Sequence, residues 1–233
     1  QTSCPDGLAC GSVSGSTTLT WAVGTVPVAA TERAVTWTVT GYATGSDGAT
    51  ITGQGGLSWC QAAGCPIPST AASTPVTTTV HHPRLVLAVS IPASFRVAAD
   101  GRDHATADQV VDYTVTVHNS GLVPAYDVVV TEISDGPLAW EGGTAPDESL
   151  TDAGTGQVTR SYRLPQPVPA GADAILTYRL RATADPADPE LTSLLDATYA
   201  SVAAPTADPV PGRQTYDDVT ADRIDLLVDA PGE

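Results

Sequence analysis

The stretch VVDYTVTVHNSGLVPAYDVVVTEISDG, residues 110–136, decides the fold. Val111, Tyr113, Val115 and Val117 alternate with Asp112, Thr114, Thr116 and His118. A period of two belongs to an extended strand with one buried face. Asn119-Ser120-Gly121 reads as a turn, and Tyr126, Val128 and Val130 follow on the next strand.

The pattern continues on both sides. Leu85 to Val89 is a continuous apolar run. Val158, Tyr162 and Leu164 mark a further strand, and Pro165 to Gly171 a Pro-rich turn. Ala174, Leu176, Tyr178 and Leu180 then alternate with Ile175, Thr177, Arg179 and Arg181. Ala197, Tyr199 and Ser201 sit on a later strand. The last runs from about Thr220 to Asp229, with Ile224, Leu226 and Val228 inward. About seven strands with regular turn signals predict an antiparallel β-sandwich over this part of the chain.

Toward the start, Leu19, Trp21 and Val23 alternate with Thr18, Thr20 and Ala22, and Val35, Trp37 and Val39 with Thr36, Thr38 and Thr40. Val76, Thr78 and Val80 make a third, weaker case. These read as short strands of a sheet with one buried side, with Trp21, Trp37 and Trp59 in its core. Gly53-Gln54-Gly55-Gly56 reads as a strand bulge or turn, since the Lys-Ser/Thr of a phosphate loop does not follow it.

Charge divides the chain. Residues 1–83 hold three acids and one Arg, net −2, whereas 84–233 hold 23 acids and nine Arg, net −14. His82-Pro83 lies at the step, and Pro biases the residue before it toward extended backbone. The expected organisation is therefore all-β, with two consecutive immunoglobulin-like antiparallel β-sandwich domains. Residues 1–83 form a small β domain with four cysteines, and residues 84–233 an acidic sandwich.

Composition removes several functions. A net charge of −16 without a Lys/Arg patch excludes a nucleic-acid partner. No apolar run approaches the ~18 residues that a membrane-crossing helix needs. Lys and Met are absent, Asn119 is the one Asn, and Phe95 the one Phe. Residues with AT-rich codons are thus scarce together, which points to a GC-rich genome. Without Lys, no Lys–Asn isopeptide cross-link can form.

Gln1 is read as the start of a mature chain whose secretory signal has been removed. Cys4, Cys10, Cys60 and Cys65 fit an oxidising compartment and are the disulfide candidates. Cys4 and Cys10 flank a Pro-Asp-Gly turn, and Cys60 and Cys65 a short Gly-containing loop. These separations favour two local bridges, and the two crossed pairings stay open. The gaps are a poor match to zinc sites.

The quoted stretch resembles a bacterial surface-repeat domain, the domain of unknown function numbered eleven. The likeness rests on the Tyr113–Val117 strand, the Asn119–Gly121 turn, Pro124-Ala125, and the Val-rich strand Val128 to Glu132 with its closing acid. PQPVPAGADAILTYRLRA is similar to the family's Pro-Ala-Gly turn and next strand, and DATYASVAAPTADPVPGRQTYDDVTADRIDLLV to its closing hairpin. The resemblance covers about residues 84–230. Residues 1–83 look like a divergent relative, and AASTPVTTTVHHPRLVLAVS resembles the junction of two tandem copies. It implies immunoglobulin-like sandwiches of bacterial surface proteins, stalks and fibres, with no catalytic residue to carry over.

The residues offer few sites. No Gly-x-Ser-x-Gly, His-Glu-x-x-His or P-loop is present, so no catalytic residue is assigned and no enzyme activity is expected. Asp100, Asp103 and Asp108, read as one loop, are the candidates for a structural Ca²⁺, although their spacing is not that of an EF-hand. Asp185, Asp188 and Glu190 form a second acidic loop. His81-His82 reads as a linker pair. Trp140, read in a loop before Glu141, either caps the sandwich core or is the candidate ligand-binding residue, as a platform for a sugar or protein ligand.

The leading expectation is a secreted, extracellular or cell-surface structural protein without catalysis. It would self-associate into a filament or layer through strand contacts, without membrane insertion. The alternatives are an adhesin module that binds a glycan or protein ligand, and accessory domains of a larger secreted enzyme. Subunits this acidic must keep like charges apart, or have them screened by salt or bridged by cations.

Overall fold

A computed structural model describes residues 47–59, 69–97, 99–134, 138–183, 190–203, 214–217, 219 and 221–229, together with the backbone of 2–3 and 38–39. The chain divides into two compact units, 1–44 and 45–233. In the first, β1 (Thr2–Ser3) pairs antiparallel with β2 (Thr38–Val39). Cys4, Cys10, Cys60, Cys65, Trp21, Trp37, Asp185 and Asp188 lie outside the described residues.

The second unit begins with a long two-stranded ribbon. β3 (Thr50–Gly53) pairs with β6 (Val76–Thr79), and β4 (Gly56–Trp59) with β5 (Ser69–Ala72), all antiparallel. The two halves form one hairpin, interrupted where Gln54-Gly55 opposes Ser73-Thr74-Pro75. Here Ser73 N–H donates to the Gly55 carbonyl and Gly55 N–H to Ser73 Oγ. The bulge falls inside the Gly53–Gly56 run.

The sandwich follows His82-Pro83 directly. One sheet has the order β11 (Leu138–Gly143), β14 (Asp173–Ala182), β9 (Val110–Asn119), β7 (Leu85–Ser90). The other runs β12 (Glu148–Thr151), β13 (Val158–Arg163), β10 (Tyr126–Ser134), β15 (Glu190–Ala200), β17 (Asp222–Asp229), β8 (Asp103–Thr106). β16 (Thr215–Tyr216) pairs with the end of β15. All pairs are antiparallel except β8 with β17, which is parallel. The Ala93–Phe95 3₁₀ turn carries Phe95 into the core from the segment between β7 and β8.

The alternation read from the sequence sets which faces meet. Val111, Tyr113, Val115 and Val117 on β9 and Leu176, Tyr178 and Leu180 on β14 are buried. They meet Val128, Val130, Tyr162, Leu195, Ala197, Tyr199 and Leu226 from the larger sheet. Each fully buried Val or Leu contributes about 1.5–3 kcal/mol relative to exposure. Tyr178 joins the sheets, stacking on Tyr113 at a centroid distance of 5.4 Å and on Tyr162 at 5.0 Å.

Three sequence expectations are corrected. Asp103 is not in a loop, because Asp103–Thr106 adds as a parallel edge strand to β17. Trp140 lies within strand β11, since Leu138 and Gly142 bury against β14 on either side of a bulge. Trp59 is 42% exposed and Val76 68% exposed, although both sit in alternating segments. Among the described residues no second layer packs on this two-stranded ribbon, so these side chains stay exposed.

Candidate functional site

The ribbon is exposed along nearly all of its length. Every residue of β4, β5 and β6 is exposed. Its base is closed by hydrogen bonds among residues that precede the sandwich. Gly48 N–H donates to the Val80 carbonyl, Val80 N–H to the Ala49 carbonyl, and His82 N–H to Asp47 Oδ1. His81 Nδ1 stands 3.5 Å from the same carboxylate. These bonds hold the Asp47 carboxyl below its ordinary value, chiefly through the His82 N–H.

Register gives each half of the ribbon an apolar face. Ile51 opposes Thr78 and Gly53 opposes Val76, so Ile51 and Val76 share a side. Leu57 opposes Ala71 and Trp59 opposes Ser69. The reverse side of the first half is threonine, with Thr52 Oγ1 3.1 Å from Thr77 Oγ1. No Asp, Glu, Lys, Arg or His occurs from Gly48 to Val80.

The sandwich rims differ in chemistry. β12 ends the larger sheet with all four residues exposed, among them Glu148 and Leu150. β8 ends the other side of that sheet beside Asp100 and Asp103. On β7, the Val89 N–H is occupied by Asp222 Oδ2 at 2.8 Å.

The three calcium candidates have separate partners. Asp100 Oδ2 contacts His104 Nε2 at 2.8 Å, and its Oδ1 accepts from Arg102 N–H. Asp103 faces Arg96 at 3.5 Å. Asp108 occupies a left-handed turn at φ 65° and donates its N–H to the Ala182 carbonyl. Among the described residues no group of three His, Cys, Asp or Glu side chains is placed to hold a metal ion. His104 instead bridges two carboxylates, with Nδ1 2.9 Å from Asp229 Oδ1. Hydrogen bonds to Asp229 and then Asp100 raise its pKa above 6.5. The Asp100 pKa is lowered, first by the Arg102 N–H and then by His104.

Trp140 is 41% exposed, and its indole N–H donates to the Thr144 carbonyl at 3.3 Å. Beside it Arg181 forms a two-pronged contact with Glu141, at 3.1 and 2.6 Å. A shallow groove lined by Asp112, Thr114, Gly143, Thr177 and Arg179 lies along β9 and β14.

Sequence reading missed the polar centre of the core. Glu132 and Arg160 are buried, and Arg160 Nη1 donates to Glu132 Oε2 at 2.6 Å and to Ser134 Oγ at 2.7 Å. Arg160 Nη2 donates to the Leu138 carbonyl. Ser193 Oγ donates to Glu132 Oε1 at 2.9 Å. The signal was available, since Glu132 is in phase with Val128 and Val130, and Arg160 with Val158 and Tyr162. The hydroxyls of Tyr113, Tyr162 and Tyr178 are buried around this centre, those of Tyr113 and Tyr162 without a hydrogen-bond partner among the described residues. Burial, and next the Glu132 charge, push all three phenols far above their ordinary pKa.

No family model matches the chain. No curated protein matches it. Solved structures give distant likenesses. The CARDB domain of the PF1109 protein from Pyrococcus furiosus is 12% identical at a TM-score of 0.36, covering 63% of this chain and 89% of its own. The seventh ScaB type I cohesin from Pseudobacteroides cellulosolvens is 8% identical at 0.37, covering 64% and 95%. The T6 backbone pilin of Streptococcus pyogenes is 10% identical at 0.33, covering 66% of this chain and 36% of the pilin. All three likenesses are remote in both sequence and structure.

Proposed function

We propose that the chain is a non-catalytic, secreted structural protein, a subunit of an extracellular filament or layer joined by β-strand contacts between subunits. The observation that supports this most is its open strand edges. The ribbon presents outward edges that no other strand covers among the described residues. An open edge is a row of unpaired N–H and C=O groups, a template for another strand. In this reading the residues 84–233 are an immunoglobulin-like sandwich of the surface-repeat kind, with an acidic surface that keeps subunits apart except at the joining strands. Negative-stain electron microscopy of sheared, undenatured native material is the test. Filaments or sheets with a regular repeat are expected, and single particles at every concentration would overturn the proposal.

One observation favours a second reading, a binding module. Trp140 exposes 41% of its surface on a rim strand, where an indole face can take a sugar ring. Glycan-array binding that is lost in Trp140→Ala would support it, and an array without signal would remove it.

A further inference from the structure

We infer that the ribbon formed by residues 47–59 and 69–80 joins two copies of this chain, pairing edge to edge with the same ribbon of a second copy. This rests on the reading of the chain as a self-associating subunit and names the surface that does it. A two-stranded ribbon is at best marginally stable on its own in water, and a third and fourth strand are what it lacks. Among the described residues no strand covers either outer edge, and Ile51, Leu57, Trp59 and Val76 are 51%, 54%, 42% and 68% exposed.

Charge selects the occupant. Two copies, each at −16, meet repulsion wherever carboxylates face one another. The other rims carry that repulsion: Asp147 and Glu148 at β12, Asp100 and Asp103 at β8, Glu141 at β11. β7 is guarded differently, by the Asp222 carboxylate on its Val89 N–H. Charged side chains on an edge are how sheet proteins refuse further strands. Between Gly48 and Val80 there is no such group. A cationic partner would be drawn to the sandwich and away from this neutral arm. A second ribbon is equally neutral, and its threonine and apolar faces match those of the first.

Paired about a two-fold axis, two ribbons make a four-stranded sheet with the Ile51–Val76 and Leu57–Trp59 faces extended across both copies. Such a contact closes on itself and yields pairs, so growth into a filament takes a second contact elsewhere.

The test is the sedimentation of the full chain over a range of concentrations. Four proteins are compared: wild type, Val76→Glu, Leu57→Glu, and Leu150→Glu on β12 as the control. The ribbon side chains support no core, so near-UV circular dichroism and Tm of the sandwich should match wild type in all variants. Wild type is expected to form pairs whose dissociation changes little with added salt. The two ribbon variants place like charges at the joint and should weaken pairing roughly tenfold or more, equivalent to 1.4 kcal/mol or above. Leu150→Glu should pair as wild type does. Association that persists unchanged in both ribbon variants would overturn this inference and leave the self-assembly reading standing. Loss of association in Leu150→Glu alone would also overturn it and move the joint to β12. A wild-type chain that is monomeric throughout would overturn both.

Discussion

Arg160 lies directly opposite Glu132 in the register of β13 with β10, and the guanidinium meets the carboxylate at 2.6 Å with both side chains sealed from water. Removing one partner leaves the other charge uncompensated in the core. Arg160→Met should therefore destabilise by about 3–5 kcal/mol, whereas Glu132→Leu with Arg160→Met should recover most of that loss. Urea unfolding of the two single variants and the double variant measures the cycle. Equal loss in single and double variants would show that the pair fixes the core by more than charge balance.

The tyrosine stack invites the opposite experiment. Tyr113 and Tyr162 bury hydroxyls without a partner among the described residues, and an unmet buried polar group costs about 1–3 kcal/mol. Tyr113→Phe and Tyr162→Phe should leave stability unchanged or raise it, with the ring stacking intact. A fall in Tm of several degrees would show that each hydroxyl has a bound water for a partner.

Asn119 uses all four of its hydrogen-bonding positions. Its Oδ1 accepts from Arg84 N–H and Gly121 N–H, and its Nδ2 donates to the Val123 and Val168 carbonyls. Asn119→Ala should cost more than about 2 kcal/mol, because it strands several of these groups in the interior. Gly121→Ala fails for a different reason. A Cβ there would stand 2.5 Å from the His82 carbonyl oxygen and 2.6 Å from Arg84 N, both backbone atoms. Overpacking of this kind costs about 1–3 kcal/mol. Chemical denaturation of both variants is the check.

The bridge from Asp100 through His104 to Asp229 ties the loop before β8 to the end of β17, and its contribution depends on pH. The His104 pKa is raised in the folded chain, so its stabilising effect is complete below the ordinary value of 6.5 and is lost as pH rises through the raised one. The Asp100 pKa is lowered, so its effect is complete above 3.8 and is lost as pH falls through the lowered value. The Tm difference between wild type and His104→Gln should be greatest between those two ordinary values and shrink at alkaline pH. A difference that is constant from pH 5 to 9 would refute the assignment.

The sandwich was legible where one face of a strand is apolar throughout, as in Val111 to Val117, Leu176 to Leu180 and Ile224 to Val228. Alternation reports the strand and its inward side directly. It does not report what lies on the other side of that face. Trp59 and Val76 alternate as core residues do, yet their strands belong to a single-layered ribbon. Nor does it report partners distant in sequence. Glu132 and Arg160 both fall in the inward phase, but their pairing depends on β13 lying beside β10. The β8 strand was hidden for another reason. His104 and Ala105 are too few to show a period, and parallel pairing with β17 supplies the order that local sequence lacks.

The setting of Asn119 also bears on how the protein ages. Asparagine is lost spontaneously when the amide nitrogen of the following residue attacks the side-chain carbonyl carbon and ammonia leaves. Here the following nitrogen, that of Ser120, donates to the Arg84 carbonyl at 2.8 Å, and the side chain is held at both ends. The ring-closing geometry is out of reach until the turn opens. Since this is the chain's one asparagine and it has no methionine, two common routes of slow chemical decay are closed, one by folding and the other by composition. The sandwich is thus suited to long residence where nothing repairs or replaces it.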